Sequence, residues 1–203
     1  MKRPVLIALK SLTWLACLWP LARLIWGAAT NNLGADPTAA ITFATGLATL
    51  RILTISLAIT PLRRLSPRLS WLIKFRRLLG LFAFFYASLH LFTYIALYAN
   101  FDVNAMAADI AKRRYITAGV AAWLLLLPLA ATSTNWAIRK LGGARWRNLH
   151  KLVYAAAACG VIHYWWQVKP GVRTPLTITV VLVVLLLARP IQTWMQRIKA
   201  HPA

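Results

Sequence analysis

Apolar residues fill six long stretches of this chain, and clusters of Lys, Arg and Asp cut them apart. The stretches cover about residues 11–28, 41–62, 78–101, 115–138, 152–168 and 175–194, the last densest over 175–188. The third to fifth carry no charge, whereas the first contains Arg23 and the second Arg51. A run of roughly 20 apolar residues is long enough to cross a bilayer as a helix. The pattern therefore predicts an all-α integral membrane protein, six transmembrane helices forming a single domain over residues 1–203. The Leu and β-branched run at 176–187 has strand-like composition, but an open sheet edge cannot sit in lipid, so it too is read as helix. Met1-Lys2-Arg3 and the small residues after Trp26 imitate a secretion signal. The first run is long for one and holds Pro20 and Arg23, so it is read as a retained span.

Composition agrees with a membrane and removes other classes. The chain has 203 residues, 60% of them apolar and 13% charged, with a mean hydropathy of +0.62. Its 24 Lys and Arg against 3 Asp and Glu give a net charge of +21. Such a basic excess usually marks a nucleic-acid binder, but a soluble fold of this size has too little interior to hide so much apolar surface. No nucleic-acid partner is expected. Neither a GxGxxG nor a GxxxxGK[ST] loop is present, and no polar stretch is long enough for a nucleotide-binding domain. Cys17 and Cys159 both lie in apolar runs, which suits small core residues better than a disulfide or zinc framework. No internal repeat is visible.

The basic residues set a topology instead. Seventeen of the 24 fall at the two termini and in the loops after the second and fourth runs, among them Arg63, Arg64, Arg76, Arg77, Arg139, Lys140 and Lys151. Five fall on the other side, Lys112, Arg113, Arg114, Lys169 and Arg173, together with all three acids, Asp36, Asp102 and Asp109. The positive-inside rule then predicts cytoplasmic N- and C-termini. Trp26, Trp71, Trp136, Trp146, Trp165, Trp166 and Trp194 stand at span ends, where an aromatic belt is expected.

Ionisable residues inside a bilayer are costly, so they point to function. His201 belongs to the tail, but three histidines lie in or beside spans. The third and fifth runs both enter from the cytoplasmic side. His90 follows the start of the third by 12 residues, about 18 Å of helix, and His163 follows His150 by 13 residues, about 20 Å. The two therefore share one depth on two helices running the same way, which is what a six-coordinate haem iron needs. Zinc fits less well, since no further ligand of the usual kind is near.

His150 would serve a second haem about 20 Å inward. Its partner is open. Arg76 projects within 40° of the His90 face at 100° per residue, yet it is arginine; the inner iron is then five-coordinate, takes an unidentified ligand, or has Arg76 or Arg77 on a propionate. His150 and His163 are also 220° apart around an ideal helix, so the two sites face different partners or the helix is irregular. Arg23 and Arg51 need an anion or acceptor too, such as a propionate, a quinone or a lipid phosphate.

A family resemblance runs through these same residues. The segments Leu33-Gly34-Ala35-Asp36-Pro37, Ile59-Thr60-Pro61-Leu62, Arg76-Arg77-Leu78-Leu79-Gly80-Leu81, Leu89-His90, Thr132-Ser133-Thr134, Leu149-His150-Lys151, Val153-Tyr154 and Ile162-His163-Tyr164 cover nearly the whole chain. Together they resemble the MsrQ (YedZ) family, haem-binding membrane subunits of bacterial periplasmic methionine-sulfoxide reductase systems, in the wider ferric-reductase and NADPH-oxidase transmembrane group. The resemblance implies b-type haem, one or two per chain, with His90, His150 and His163 as iron ligands and the Arg76/Arg77 pair at the fourth position. It also implies electron transfer, with a cytoplasmic flavin reductase or quinol as donor and a periplasmic molybdenum-cofactor subunit, which repairs oxidised envelope proteins, as acceptor. Flavin mononucleotide (FMN) is a further implied cofactor.

The expected function is thus a transmembrane cytochrome that carries electrons without performing the substrate chemistry. Two rivals stay open. One is a haem-free membrane scaffold or transporter that uses its histidines as polar links or a proton relay. The other is a stand-alone ferric reductase.

Overall fold

The computed structural model describes residues 3–168 and 173–200. Lys2, Lys169 and His201 lie outside the described residues. The described chain is almost entirely helical, in the order α1 (Arg3–Ala29), α2 (Pro37–Leu65), a 3-10 stretch (Pro67–Leu72), α3 (Ile73–Thr93) with a π turn (Tyr94–Tyr98), α4 (Val103–Lys112), α5 (Arg114–Ala131), α6 (Asn135–Leu141), α7 (Gly143–Leu149), α8 (Leu152–Gln167) and α9 (Arg173–Ala200). Four helical stretches, 3–29, 37–65, 67–98 and 114–131, are long and apolar enough to cross a membrane, and α9 adds a shorter apolar segment over Pro175–Ala188. The fifth apolar run forms α8, 16 residues long.

Several boundaries differ from those read off the hydropathy. The first two runs are longer as helices, because Arg3 and Lys10 join the start of α1 and Arg63 and Arg64 the last turn of α2. The run at 115–138 is two helices. Pro128 lacks the N–H of a helix interior, and the Thr132 and Ser133 hydroxyls donate back to the Pro128 and Leu129 carbonyls at 2.6 and 2.7 Å. Such bonds compete with the helix ladder. Thr134 then caps α6 by accepting from the Ala137 N–H at 3.1 Å. The run at 78–101 loses its regular geometry at Tyr94, and the surface helix α4 follows it.

Asp36 accepts from the Ala39 N–H and Asp102 from the Asn104 and Ala105 N–H groups, so these two acids begin α2 and α4. A carboxylate there meets unpaired donors and the positive end of the helix dipole.

The bundle is two antiparallel helix pairs side by side. α2 packs along α3, α5 along α8, and α3 against α5. Small residues at the contacts let the backbones approach: Ala83 is fully buried, and Ala156 and Ala157 nearly so. Trp123 of α5 donates to Ser88 of α3 at 3.0 Å and stacks with Phe84, which pins the two pairs together.

α1 is peripheral, with only Cys17 and Gly27 buried. Its docking depends on Tyr86 of α3, whose hydroxyl enters the α1 ladder just past Pro20. It accepts from the Leu21 N–H at 3.1 Å and donates to the Cys17 carbonyl at 2.7 Å. Backbone groups freed by a proline inside a spanning helix need such a partner.

Candidate functional site

His90 and His163 occupy the final turns of α3 and α8, and their rings meet between the helix pairs. The ring centres are 5.8 Å apart and the planes are nearly perpendicular, at 83°. The two side chains are held in the same way. His90 Nδ1 lies 2.9 Å from the Thr42 carbonyl, 48 residues upstream, and His163 Nδ1 lies 2.6 Å from the Tyr115 carbonyl, also 48 upstream. A carbonyl can only accept, so both Nδ1 atoms carry the proton. Both Nε2 lone pairs are left for a metal. Four residues beyond each carbonyl is a glycine against the ring. A Cβ on Gly46 would stand 3.0 Å from the His90 ring, and one on Gly119 would stand 2.8 Å from His163 Nδ1. Neither ring could keep its place beside an alanine.

This is an internal repetition: carbonyl, glycine four residues on, histidine 48 residues on, once in α2–α3 and once in α5–α8. The sequence reading missed it, although the equal spacing of Gly46 to His90 and Gly119 to His163 is visible in the sequence. The settings differ in one respect. The Thr45 hydroxyl, whose proton goes to the Ile41 and Thr42 carbonyls, also lies 3.3 Å from His90 Nδ1 as a second acceptor. His163 has the single shorter bond.

His150 lies at the opposite end, in the turn between α7 and α8, and among the described residues it faces no second imidazole. Its ring stacks on Trp146, with centres 3.9 Å apart, and its Nε2 lies 3.2 Å from the Thr132 hydroxyl. Thr132 donates to Pro128, so this hydroxyl accepts and His150 Nε2 carries the proton. Trp146 in turn donates to the Thr132 carbonyl at 2.9 Å. The break between α5 and α6 thus builds the seat for His150. Burial lowers the His150 pKa from its usual value, and the charge of Arg76 lowers it further. Arg77 points elsewhere, donating to Asn135 Oδ1 at 2.8 Å.

Arg51 and Arg23 are not brought to the histidines. Arg51 is at the midpoint of α2 and exposed; it lies 180° around that helix from Thr42 at 100° per residue. Arg23 is six residues from the end of α1, not at mid-span. It lines a cavity of about 450 Å³ with Trp19, Ala22, Trp26, Gly27 and Asn32. Cys17 and Cys159 are free.

The ring-centre separation of 5.8 Å is close to that of two imidazoles sharing one metal. Imidazole–metal bonds of about 2.0–2.1 Å on each side place ring centres roughly 6 Å apart. Among the described residues no three His, Cys, Asp or Glu side chains converge. A metal held here would therefore bring its remaining ligands with it.

Two hairpins joined by a histidine pair define a class of membrane protein, and the chain belongs to the ferric reductase like transmembrane component family, whose pattern matches residues 41–161. Within that group it falls in the MsrQ family. It is 48% identical to the protein-methionine-sulfoxide reductase heme-binding subunit MsrQ of Herminiimonas arsenicoxydans, over 97% of this chain and 90% of the relative. It is 43% identical to the MsrQ subunit of Ralstonia nicotianae, over 92% and 85% of the two chains. It is 47% identical to that of Xanthomonas euvesicatoria, over 89% and 84%.

Proposed function

We propose that this chain is the membrane electron-transfer subunit of a methionine-sulfoxide reductase system, with a b-type haem held between His90 and His163. The observation that carries the reading is the ring pair: two imidazoles 5.8 Å apart, each with its Nδ1 proton committed to a backbone carbonyl. The donor set fits the group. His90 and His163 would hold the iron through their Nε2 atoms, and a porphyrin would supply the further nitrogens that the described side chains do not. When bound, the haem supplies a one-electron carrier. The chain's residues hold the rings, raise ligand basicity through the two carbonyls, and exclude water by close packing.

The same reading gives six spans, with α8 and α9 as the last two, and both termini in the cytoplasm, as the distribution of Lys and Arg supports. Electrons enter from a cytoplasmic flavin reductase or from quinol. They leave to a periplasmic molybdenum-dependent methionine-sulfoxide reductase; the relatives' names support the reductase, not the donor. Arg51, exposed at the centre of α2, is the candidate contact for a quinone in the bilayer. His150, with Arg76, serves a second, anionic cofactor at the cytoplasmic end, and Arg77 joins them only by leaving Asn135. That cofactor is a second haem if the purified protein holds two per chain, or FMN if it holds one haem and a flavin.

The test is a reduced-minus-oxidised spectrum of the purified protein from haem-replete cells. A low-spin Soret and α-band pattern that vanishes in His90→Ala and His163→Ala is expected. A folded, colourless wild-type protein overturns the reading.

A further inference from the structure

α4 crosses the end of the bundle where His90 and His163 meet. It is ten residues long and buries none of them, so apolar packing does not hold it. Polar contacts do. The Thr117 hydroxyl of α5 donates to the Ile110 carbonyl at 2.5 Å. Asp109 makes two contacts: its Oδ2 accepts from the Tyr94 hydroxyl at 3.0 Å, and its Oδ1 faces Arg113 Nε at 2.9 Å. Arg113 also donates to the Tyr115 hydroxyl at 3.3 Å.

The ends of this chain of contacts are informative. Tyr94 is one turn beyond His90 on the same helical stretch. Tyr115 is the residue whose carbonyl accepts from His163. A single carboxylate is thus tied to the helix end that carries one ring and to the residue that orients the other.

The two halves of the pair need this tie unequally. Thr42, which holds His90, is the sixth residue of α2, inside a helix capped by Asp36. Tyr115, which holds His163, is the second residue of α5, and that helix begins at Arg113 with no side-chain cap. First turns fray, so the shorter of the two Nδ1 bonds rests on the less secure backbone. Arg113 and Asp109 do not cap the free N–H groups of α5; they anchor its first residues from outside, side chain to side chain. An exposed ion pair contributes little to global stability, so its effect falls on geometry.

We propose that Asp109 is a positioning residue for the histidine pair. Through Arg113 it fixes the start of α5, and so the Tyr115 carbonyl that holds His163; through Tyr94 it fixes the end of the helix that carries His90. The proposal rests on the haem reading for its spectroscopic readout.

The test uses the full-length holoprotein in detergent, with Asp109→Asn as first variant and Arg113→Gln as second. Arg113 is 55% exposed at its side chain, so its loss leaves the fold intact. Three results are expected in both variants. Haem content stays at the wild-type level. The midpoint potential rises, because a looser Nδ1–H···O bond leaves a less basic ligand, and the low-spin resonance broadens. Amide exchange over 114–118 speeds up about tenfold. Asp109→Glu restores most of the wild-type potential, and Tyr115→Phe gives a smaller shift of the same sign. Unchanged potential and resonance in both variants overturn the proposal, and faster exchange alone then assigns the network a purely structural role. Wild-type protein without haem defeats the haem reading, whereas unchanged exchange defeats the tie itself, so the two failures are distinguishable.

Discussion

His150 and His163 stand thirteen residues apart on one stretch of chain, yet their surroundings have little in common. His163 faces another imidazole, donates to a helix backbone, and packs on a glycine whose missing side chain makes room for its ring. His150 faces an indole and a hydroxyl, sits in a turn, and feels the charge of an arginine. The first setting is made by two long helices and has a copy at His90. The second is made by a break in a helix and has none. A facing pair of imidazoles therefore requires the architecture to be used twice, whereas a lone histidine needs only a local irregularity.

The strongest way to break this contrast is to remove the rings. His163→Ala or His90→Ala abolishes the bis-histidine spectrum, while His150→Ala leaves it intact; difference spectra of the three purified variants decide. Equal losses from all three would erase the distinction. The glycines come next. Gly119→Ala forces the His163 ring or α5 to move and costs about 1–3 kcal/mol, as overpacking does. Gly46→Ala costs less, because its nearest approach is longer. Gly80, in α3, serves as control: a Cβ there meets nothing within 4 Å, and Ala in a helix interior stabilises by about 0.5–1 kcal/mol. Thermal melts in detergent rank the three.

The inner setting yields the smaller effects. Thr132→Val removes the acceptor from His150 Nε2 and costs about 0.5–1.5 kcal/mol, with no change in the spectrum of the His90–His163 centre. Arg76→Gln removes the lesser of two causes that depress the His150 pKa, so that pKa rises toward 6.5 without reaching it. The sign is definite. A histidine whose folded pKa lies below its unfolded one favours the fold above the unfolded value, and that contribution is lost as pH falls through the folded pKa. NMR titration of the imidazole, wild type against variant, measures the shift.

Much of the fold can be read from hydropathy, since each apolar run lies within or across a helix. What escaped are the features made by hydrogen bonds and not by apolar pattern. The break at Thr132–Thr134 lies inside an uncharged run, so hydropathy sees one helix where hydroxyls make two. α4 is too short to register as an apolar run, although Val103, Met106 and Ile110 recur at helical spacing and could have marked it. At the site, equal depth along two helices follows from counting residues from the basic loops, and His90 and His163 do lie side by side. The Thr42 and Tyr115 carbonyls could not be read, because any residue carries one; which carbonyl faces a ring depends on how α2 packs on α3 and α5 on α8. The sequence reading weighed Arg76 as the residue opposite His150, and its charge does act on that ring; that Arg77 turns to Asn135 instead depends on packing that counting residues does not show.

The repeated carbonyl, glycine and histidine also bear on how the protein is made. Each set of three lies within one hairpin: Thr42, Gly46 and His90 in α2–α3, Tyr115, Gly119 and His163 in α5–α8. Synthesis runs from the N-terminus, so the first half of the site is complete before the second hairpin leaves the ribosome. The order of assembly is thus written into the spacing: two half-sites, each made within one hairpin, that meet only when the second hairpin packs on the first.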